Sequence, residues 1–432
     1  MIAKIRKIIS TDLVKVSSLN AVATLIKMLT GFVSVKVIAV IIGPPGVALL
    51  GQLNNFSTIF LTMSAGGINS GITRYTSQHR NSKKRYMAFL RTGFRITALL
   101  SMVSGLVLVF GATYFSRLIL KDAQYKVVFV IFGFTVILYA LNAFLVATIN
   151  GFRAFKKYVT INILSSVVGL IFSIVLATNF GLYGALISAV TYQSVVFLVT
   201  LTLVTKMHWF KWRELFGRFS KSAALKLGHY SIMALASTVT VPVAQLFVRN
   251  HIVVSRSIHD AGIWEGMNRI SAMYLTVITT SLSVYYLPKL SGLSDSRLIR
   301  KEIFTVYKFI IPLLFCISTV IFLFRNQVVH ILFNHKFDGM QDFFAFQLAG
   351  DVMKMAAWTL AYLLLAKAMT KVFIFNEIFF SLSFVLLSLF FTNRYGAIGA
   401  SMAYLTNYSM NFIFMLIVFR KLLFQPERNH TF

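Results

Sequence analysis

Long apolar runs separated by short polar stretches organise this chain. About twelve runs are long enough to cross a bilayer as helices: 14–42, 47–72, 92–115, 126–149, 158–179, 183–205, 229–251, 262–287, 304–325, 343–366, 372–392 and 397–419. The connections alternate in charge. One set is basic, including the N-terminus with Lys4, Arg6 and Lys7, Arg74–Arg91, Gly151–Lys157, Lys206–Lys226, Lys289–Lys301, Lys367–Lys371 and Arg420–Arg428. The intervening set, such as Gly43–Gly46, Asn179–Tyr183 and Asn393–Gly396, is short or mixed. The excess of Lys and Arg on alternate connections places both termini in the cytoplasm. No connection is long enough to hold a separate soluble domain. The pattern predicts an all-α integral membrane protein.

The runs repeat. Gly181-Leu-Tyr-Gly184-Ala matches Gly396-Ala-Ile-Gly399-Ala at an offset of 215 residues. Lys157 and Asn162 match Lys371 and Asn376, and Leu61-Thr62 matches Leu275-Thr276, each at 214, while Gly46-Val47 matches Gly262-Ile263 at 216. A near-constant offset of half the chain, spanning an even number of crossings, describes a parallel repeat. The expected architecture is two six-helix lobes, 1–215 and 216–432, with the basic Lys206–Lys226 segment between them. The paired glycines read as tight turns or close helix approaches and carry no chemistry.

Polar positions inside apolar runs are the candidate site. The run Phe343–Lys367 carries Gln347, Asp351, Lys354 and Trp358 on one helical stripe. A central charge costs about 2.5–3.5 kcal/mol on insertion scales, so an intramembrane acid and base need a reason to be there. At a spacing of three residues, Asp351 and Lys354 share a face and their opposite charges can meet. The structural reading is a buried ion pair locking helices together; the functional reading is the lining of a transport path. Lys27 in the first run shares a face with Asn20, Thr24, Gly31 and Ser34. Asn55 heads a second stripe with Thr58 and Thr62. The seventh run offers Gln245 and Arg249. The eighth offers Glu265 and Arg269, acid first and four apart, a favourable helix pair. Trp264 beside them reads as an interfacial anchor or a sugar-stacking ring. Together the stripes suggest one cationic cavity, with Lys27, Asn55, Arg249, Glu265, Arg269, Lys354 and Trp358 binding cargo and Asp351 coupling an ion. A cavity with more bases than acids favours an anionic cargo, and arginine forks suit phosphate.

Composition narrows the class. The chain has 432 residues, 57% of them hydrophobic, and a net charge of +30. The basic residues sit in membrane-flanking connections, so the charge reflects topology and implies no nucleic-acid partner. The single cysteine, Cys316, excludes an intrachain disulfide. No P-loop is present, which excludes an ATP-driven pump by this chain alone. Neither a cofactor nor a metal is expected. The histidines lie near run ends with no pairing by spacing, and no large outer loop offers an acceptor site for a membrane enzyme.

Three stretches carry a resemblance: GVALLGQLNNFSTIF (46–60), GIWEGMNRISAMYLTVITTSLSVYYLPKLS (262–291) and FAFQLAGDVMKMAAWTLAYLLLAKA (344–368). They are similar to the lipid-linked oligosaccharide flippases of Gram-negative inner membranes, of the O-antigen and enterobacterial common antigen type. These belong to the superfamily of multidrug, oligosaccharidyl-lipid and polysaccharide exporters. The resemblance implies a MATE-like fold of twelve helices in two lobes. It also implies alternating-access transfer of undecaprenyl-pyrophosphate-linked repeat units from the cytoplasmic to the periplasmic leaflet. Inner-membrane lipids surround such a protein, and polymerase and chain-length proteins of the same pathway are candidate partners. The resemblance further implies an acid within the segment IS-x-x-YL, where this chain has Ala272. A cation-coupled multidrug exporter of the same superfamily is the alternative; its cationic cargo would call for a cavity rich in carboxylates.

Overall fold

The computed structural model describes residues 12–207, 209–367 and 369–424. Lys4, Arg6, Lys7 and Arg428 lie outside the described residues. Helices account for nearly all of the rest, and no strand occurs among the described residues.

Among the described residues, seven continuous helical stretches are long and apolar enough to cross a membrane. Three of them are of double length, at 43, 51 and 49 residues. Helix α1 (Asp12–Ser64) contains 53 residues. Unbroken, it would extend about 80 Å, against a hydrocarbon core of about 30 Å. It is broken at Gly43, whose φ of 63° leaves the helical region. Pro44 and Pro45 then open its second half, where a missing N–H costs nothing. Helices α2 (Asn69–Gln78), α3 (Lys83–Phe110), α4 (Ala112–Leu120) and α5 (Lys126–Gly151) follow. Helix α6 (Phe155–Thr205) breaks at Gly181, with φ 55°. After the single turn α7 (Trp212–Leu215) come α8 (Lys221–Ser255) and α9 (Ile258–Ser281). A π turn, Leu282–Tyr286, leads from α9 into α10 (Leu287–Gly292). The chain ends with α11 (Ser296–Leu323), α12 (Arg325–Leu332), α13 (Phe344–Ala366), α14 (Thr370–Tyr395), α15 (Gly399–Val418) and α16 (Arg420–Phe424).

The chain forms two compact units. One contains Leu49–Pro242 and the described residues before Gly43; the other contains Gly43–Ala48 and everything described from Val243 on. The division falls within α8, at Pro242. The first unit is centred on Ile72, Leu90, Phe144, Val196, Trp209 and Leu227. The second is centred on Ile303, Leu314, Met355, Leu360, Leu363 and Met415. In the second unit Phe333, Phe337 and Met340 are fully buried, and Phe333 and Met340 crowd Gly266 on α9.

The repeated glycine pairs form the same corner twice. Gly181 and Gly396 both take positive φ, at 55° and 74°, reversing the chain where an L side chain would strain. Three residues later, a Cβ on Gly184 would strike the Leu176 carbonyl, and one on Gly399 would strike the Phe391 backbone. Both contacts lie eight residues back on the incoming helix. These corners therefore need two glycines each, one for the turn and one for the approach. Gly184→Val and Gly399→Val should each cost at least the ~1–3 kcal/mol of an overpacked core, because a backbone atom cannot move aside like a side chain. The check is membrane accumulation and detergent thermal unfolding. Normal accumulation of either variant would refute the corner.

Candidate functional site

In the second unit, α8, α9, α13 and α15 bring together most of the intramembrane charge. The Ser257 side chain caps α9 by accepting from the Asp260 N–H at 3.0 Å, with Asp260 itself in the positively polarised first turn. This start sets the rotation of α9. Glu265 and Arg269 then lie one turn apart, with Arg269 Nε donating to Glu265 Oε1 at 3.2 Å. Arg249 on α8 donates from Nη2 to the other carboxylate oxygen, Oε2. One acid thus joins two bases. Arg249 is only 1% exposed, and its guanidinium lies over the Trp264 ring at 5.5 Å. Its Nε and Nη1 have no protein partner. Trp264 is buried beneath this cation, so it is neither the surface anchor nor the exposed stacking ring expected from sequence.

The next turn of α9 meets α13. Asp351 is fully buried. Its carboxylate accepts from Ser271 Oγ at 2.6 Å, from Tyr404 OH at 2.8 Å and from Tyr274 OH. Gln347, one turn earlier on α13, donates to Ser271 Oγ at 3.3 Å and accepts from Ser401 Oγ at 2.9 Å. This hydroxyl network ties α9, α13 and α15 together. Asp351 makes no ion pair among the described residues.

Lys354 therefore corrects the sequence expectation. Asp351 and Lys354 share a helix face by spacing, yet they do not pair. The hydroxyls of α9 and α15 occupy the carboxylate. The ammonium turns instead to three rings, with Nζ 4.9 Å from the Trp358 centroid, 5.3 Å from Tyr408 and 5.6 Å from Tyr404. Each such contact is worth about 0.5–2 kcal/mol according to desolvation. Lys354 and Trp358 are half-buried. The cage leaves the lysine charge matched by ring faces and contacted by no carboxylate.

The other predicted residues lie elsewhere. Lys27 is exposed on α1, and Asn55 is half-buried with its Nδ2 unpartnered, both in the first unit. His330 and His335, unpaired by spacing, both reach Asp338, at 3.1 and 3.7 Å. Ser271, Tyr274, Tyr404 and Tyr408 are the functional candidates that reading from charges missed. A signal for them existed: Ser401, Tyr404, Tyr408 and Asn411 recur at spacings of three and four on the last apolar run.

The family model described as "Polysaccharide biosynthesis protein" matches residues 47–342. The chain is 30% identical over 404 residues to the Lipid III flippase of Escherichia coli (strain K12), covering 93% of this chain and 96% of that protein. The Lipid III flippase of Shigella flexneri matches to the same extent. Among solved structures, an inward-facing multidrug resistance MATE family transporter of the MOP superfamily superposes with a TM-score of 0.77 at 12% identity, covering 93% of this chain and 95% of that one. The lipid II flippase MurJ, in an inward closed conformation, gives 0.72 at 13% identity, covering 94% and 87%. At such identities these structures establish the fold.

The two ways of holding a cation predict different costs. Glu265→Gln removes the acid that Arg249 and Arg269 share and strands a buried charge, at about 3–5 kcal/mol. Lys354→Met leaves Asp351 with all three hydroxyl donors and sets a sulfur against the rings, so stability should change by no more than about 1 kcal/mol. Detergent thermal unfolding checks both. Equal destabilisation would mean that Asp351 depends on Lys354 after all.

Proposed function

This chain belongs to the polysaccharide biosynthesis protein family, and from that membership we propose that it is a flippase for undecaprenyl-pyrophosphate-linked oligosaccharide repeat units. It is an integral inner-membrane protein with the fold of the MOP exporters. It moves its cargo from the cytoplasmic to the periplasmic leaflet by alternating access, making and breaking no covalent bond. The cargo is of the O-antigen or enterobacterial common antigen class. The reading takes twelve crossings in two six-helix lobes, 1–215 and 216–432, with both termini in the cytoplasm. Polymerase and chain-length proteins of the same pathway are its proposed neighbours.

One observation carries the reading: Arg249 and Arg269 share a single carboxylate, Glu265, while Lys354 rests on aromatic rings and pairs with no carboxylate among the described residues. Such a set has charge left for an anion. A pyrophosphate headgroup supplies that anion and cannot enter hydrocarbon without it. Arg249 offers two unpartnered nitrogen donors, Nε and Nη1, suited to phosphate oxygens. Lys354 offers an ammonium, and Trp358 a flat face for sugar. Glu265 positions both arginines. Lys27 and Asn55 are proposed to contact cargo from the first unit's helices. Asp351, buried among hydroxyls, is the proposed ion-coupling group. A multidrug exporter with cationic cargo fits this charge balance less well.

In a translocase-null strain, Lys354→Met should reach the wild-type level in the membrane yet accumulate undecaprenyl-linked units and fail to complement. Full complementation would remove Lys354 from the cargo path. Topology has its own test, in a Cys316→Ser background. Asn179→Cys and Asn393→Cys should react with an impermeant thiol reagent added outside, while Asn81→Cys should react only after permeabilisation. The reverse pattern would invert the proposed orientation.

A further inference from the structure

The stretch between α6 and α8 has no part in the cargo chemistry above, yet it is firmly built. Arg91 Nε donates to the Glu214 carbonyl at 2.7 Å, and Arg95 Nη2 donates to the Phe216 carbonyl at 3.0 Å. The Ser220 N–H donates to Thr92 Oγ1 at 3.1 Å. Three residues in the third and fourth turns of α3 thus hold the segment by its backbone. Trp209, Phe210 and Leu215 point inward and are buried, with Trp209 stacked on Phe152 at 5.0 Å. Trp212, Phe216 and Phe219 point outward, at 42%, 62% and 46% exposure. Trp212 and Phe216 both flank the Phe94 ring.

Charge follows the same division. The only acid of the segment, Glu214, is bound by Lys83 at 2.8 Å, and that hydrogen bond holds its carboxyl below the usual range. Lys206, Lys211, Arg213, Arg218 and Lys221 are exposed, and none forms an ion pair among the described residues. Exposed aromatics interleaved with unpaired bases match the two layers of a membrane interface. The rings suit the glycerol and upper acyl region, and the bases suit phosphate. A disordered polybasic loop would present its charge diffusely; here the backbone bonds fix both layers in place.

We propose that residues 209–221 form a binding site for anionic phospholipid headgroups, with Lys211, Arg213 and Arg218 contacting the phosphate and Trp212, Phe216 and Phe219 seated among the acyl chains. The site is distinct from the cargo residues and independent of what the protein transports. Each base near an anionic surface contributes about five-fold in affinity.

The experiment titrates the full-length protein in detergent with dioleoyl phosphatidylglycerol or dioleoyl phosphatidylcholine and counts bound lipids by native mass spectrometry. Wild type should prefer phosphatidylglycerol by at least about five-fold. The variant K211S/R213S/R218S should lose that preference, while the charge-conserving K211R/R213K/R218K keeps it. Removing three bases elsewhere, as R153S/K156S/K157S, should leave it intact. Equal affinity for both lipids in wild type would overturn the proposal. So would a preference that survives K211S/R213S/R218S, or one lost equally in R153S/K156S/K157S, which would trace it to overall charge. No lipid-linked saccharide enters the assay, so failure here leaves the flippase reading standing, and failure of that reading leaves this site standing.

Discussion

A carboxylate placed at the depth of a bilayer must be matched by donors that the protein supplies, because hydrocarbon offers none. Asp351 states this constraint most sharply, and much of the second unit is arranged around meeting it. Three hydroxyls from two neighbouring helices converge on one side chain. Gln347 extends the network to Ser401. The helices α9, α13 and α15 cannot slide or rotate past one another without breaking several of these bonds together. A polar group that would be expensive alone thus fixes the register of three apolar helices that packing alone would leave less determined.

The same unit solves the problem of positive charge in two ways. Arg249 and Arg269 share Glu265 in a geometry with direction, since a planar guanidinium bonds along set axes. Lys354 rests on the faces of Trp358, Tyr404 and Tyr408, whose attraction varies gently with angle. The acid in the arginine cluster explains why a pair predicted from i, i+4 spacing survives in the fold. The absence of contact between Asp351 and Lys354 has the complementary cause: better donors reach the carboxylate first.

Much of this was legible in the chain. Run lengths gave the helical membrane class, and the offset near 215 residues located Gly181, Gly184, Gly396 and Gly399, which prove to be equivalent corners. The stripe on α13 pointed to Gln347, Asp351, Lys354 and Trp358. What periodicity could not give was the partner of each charge. Helical spacing reports which residues share a face of one helix, and says nothing of which hydroxyl on another helix arrives there. Ser271 and Tyr274 stand on either side of Ala272, where the family resemblance led us to expect an acid. In the fold the acid at that segment comes from α13, 80 residues further on from Ser271. Trp264 failed for a related reason. In the fold Arg249 reaches its ring from α8, a contact invisible to any single-helix pattern.

A lysine seated on rings keeps a freedom that a salt-bridged lysine lacks. Its ammonium is a point charge on a four-carbon stem, with three donors that can turn and no preferred plane. An anion that tumbles while it moves can stay in contact with such a group through many orientations, whereas a forked guanidinium would hold it in one. In the proposed cargo path, the cage around Lys354 therefore favours sensing that a charge is present over reading the shape that carries it.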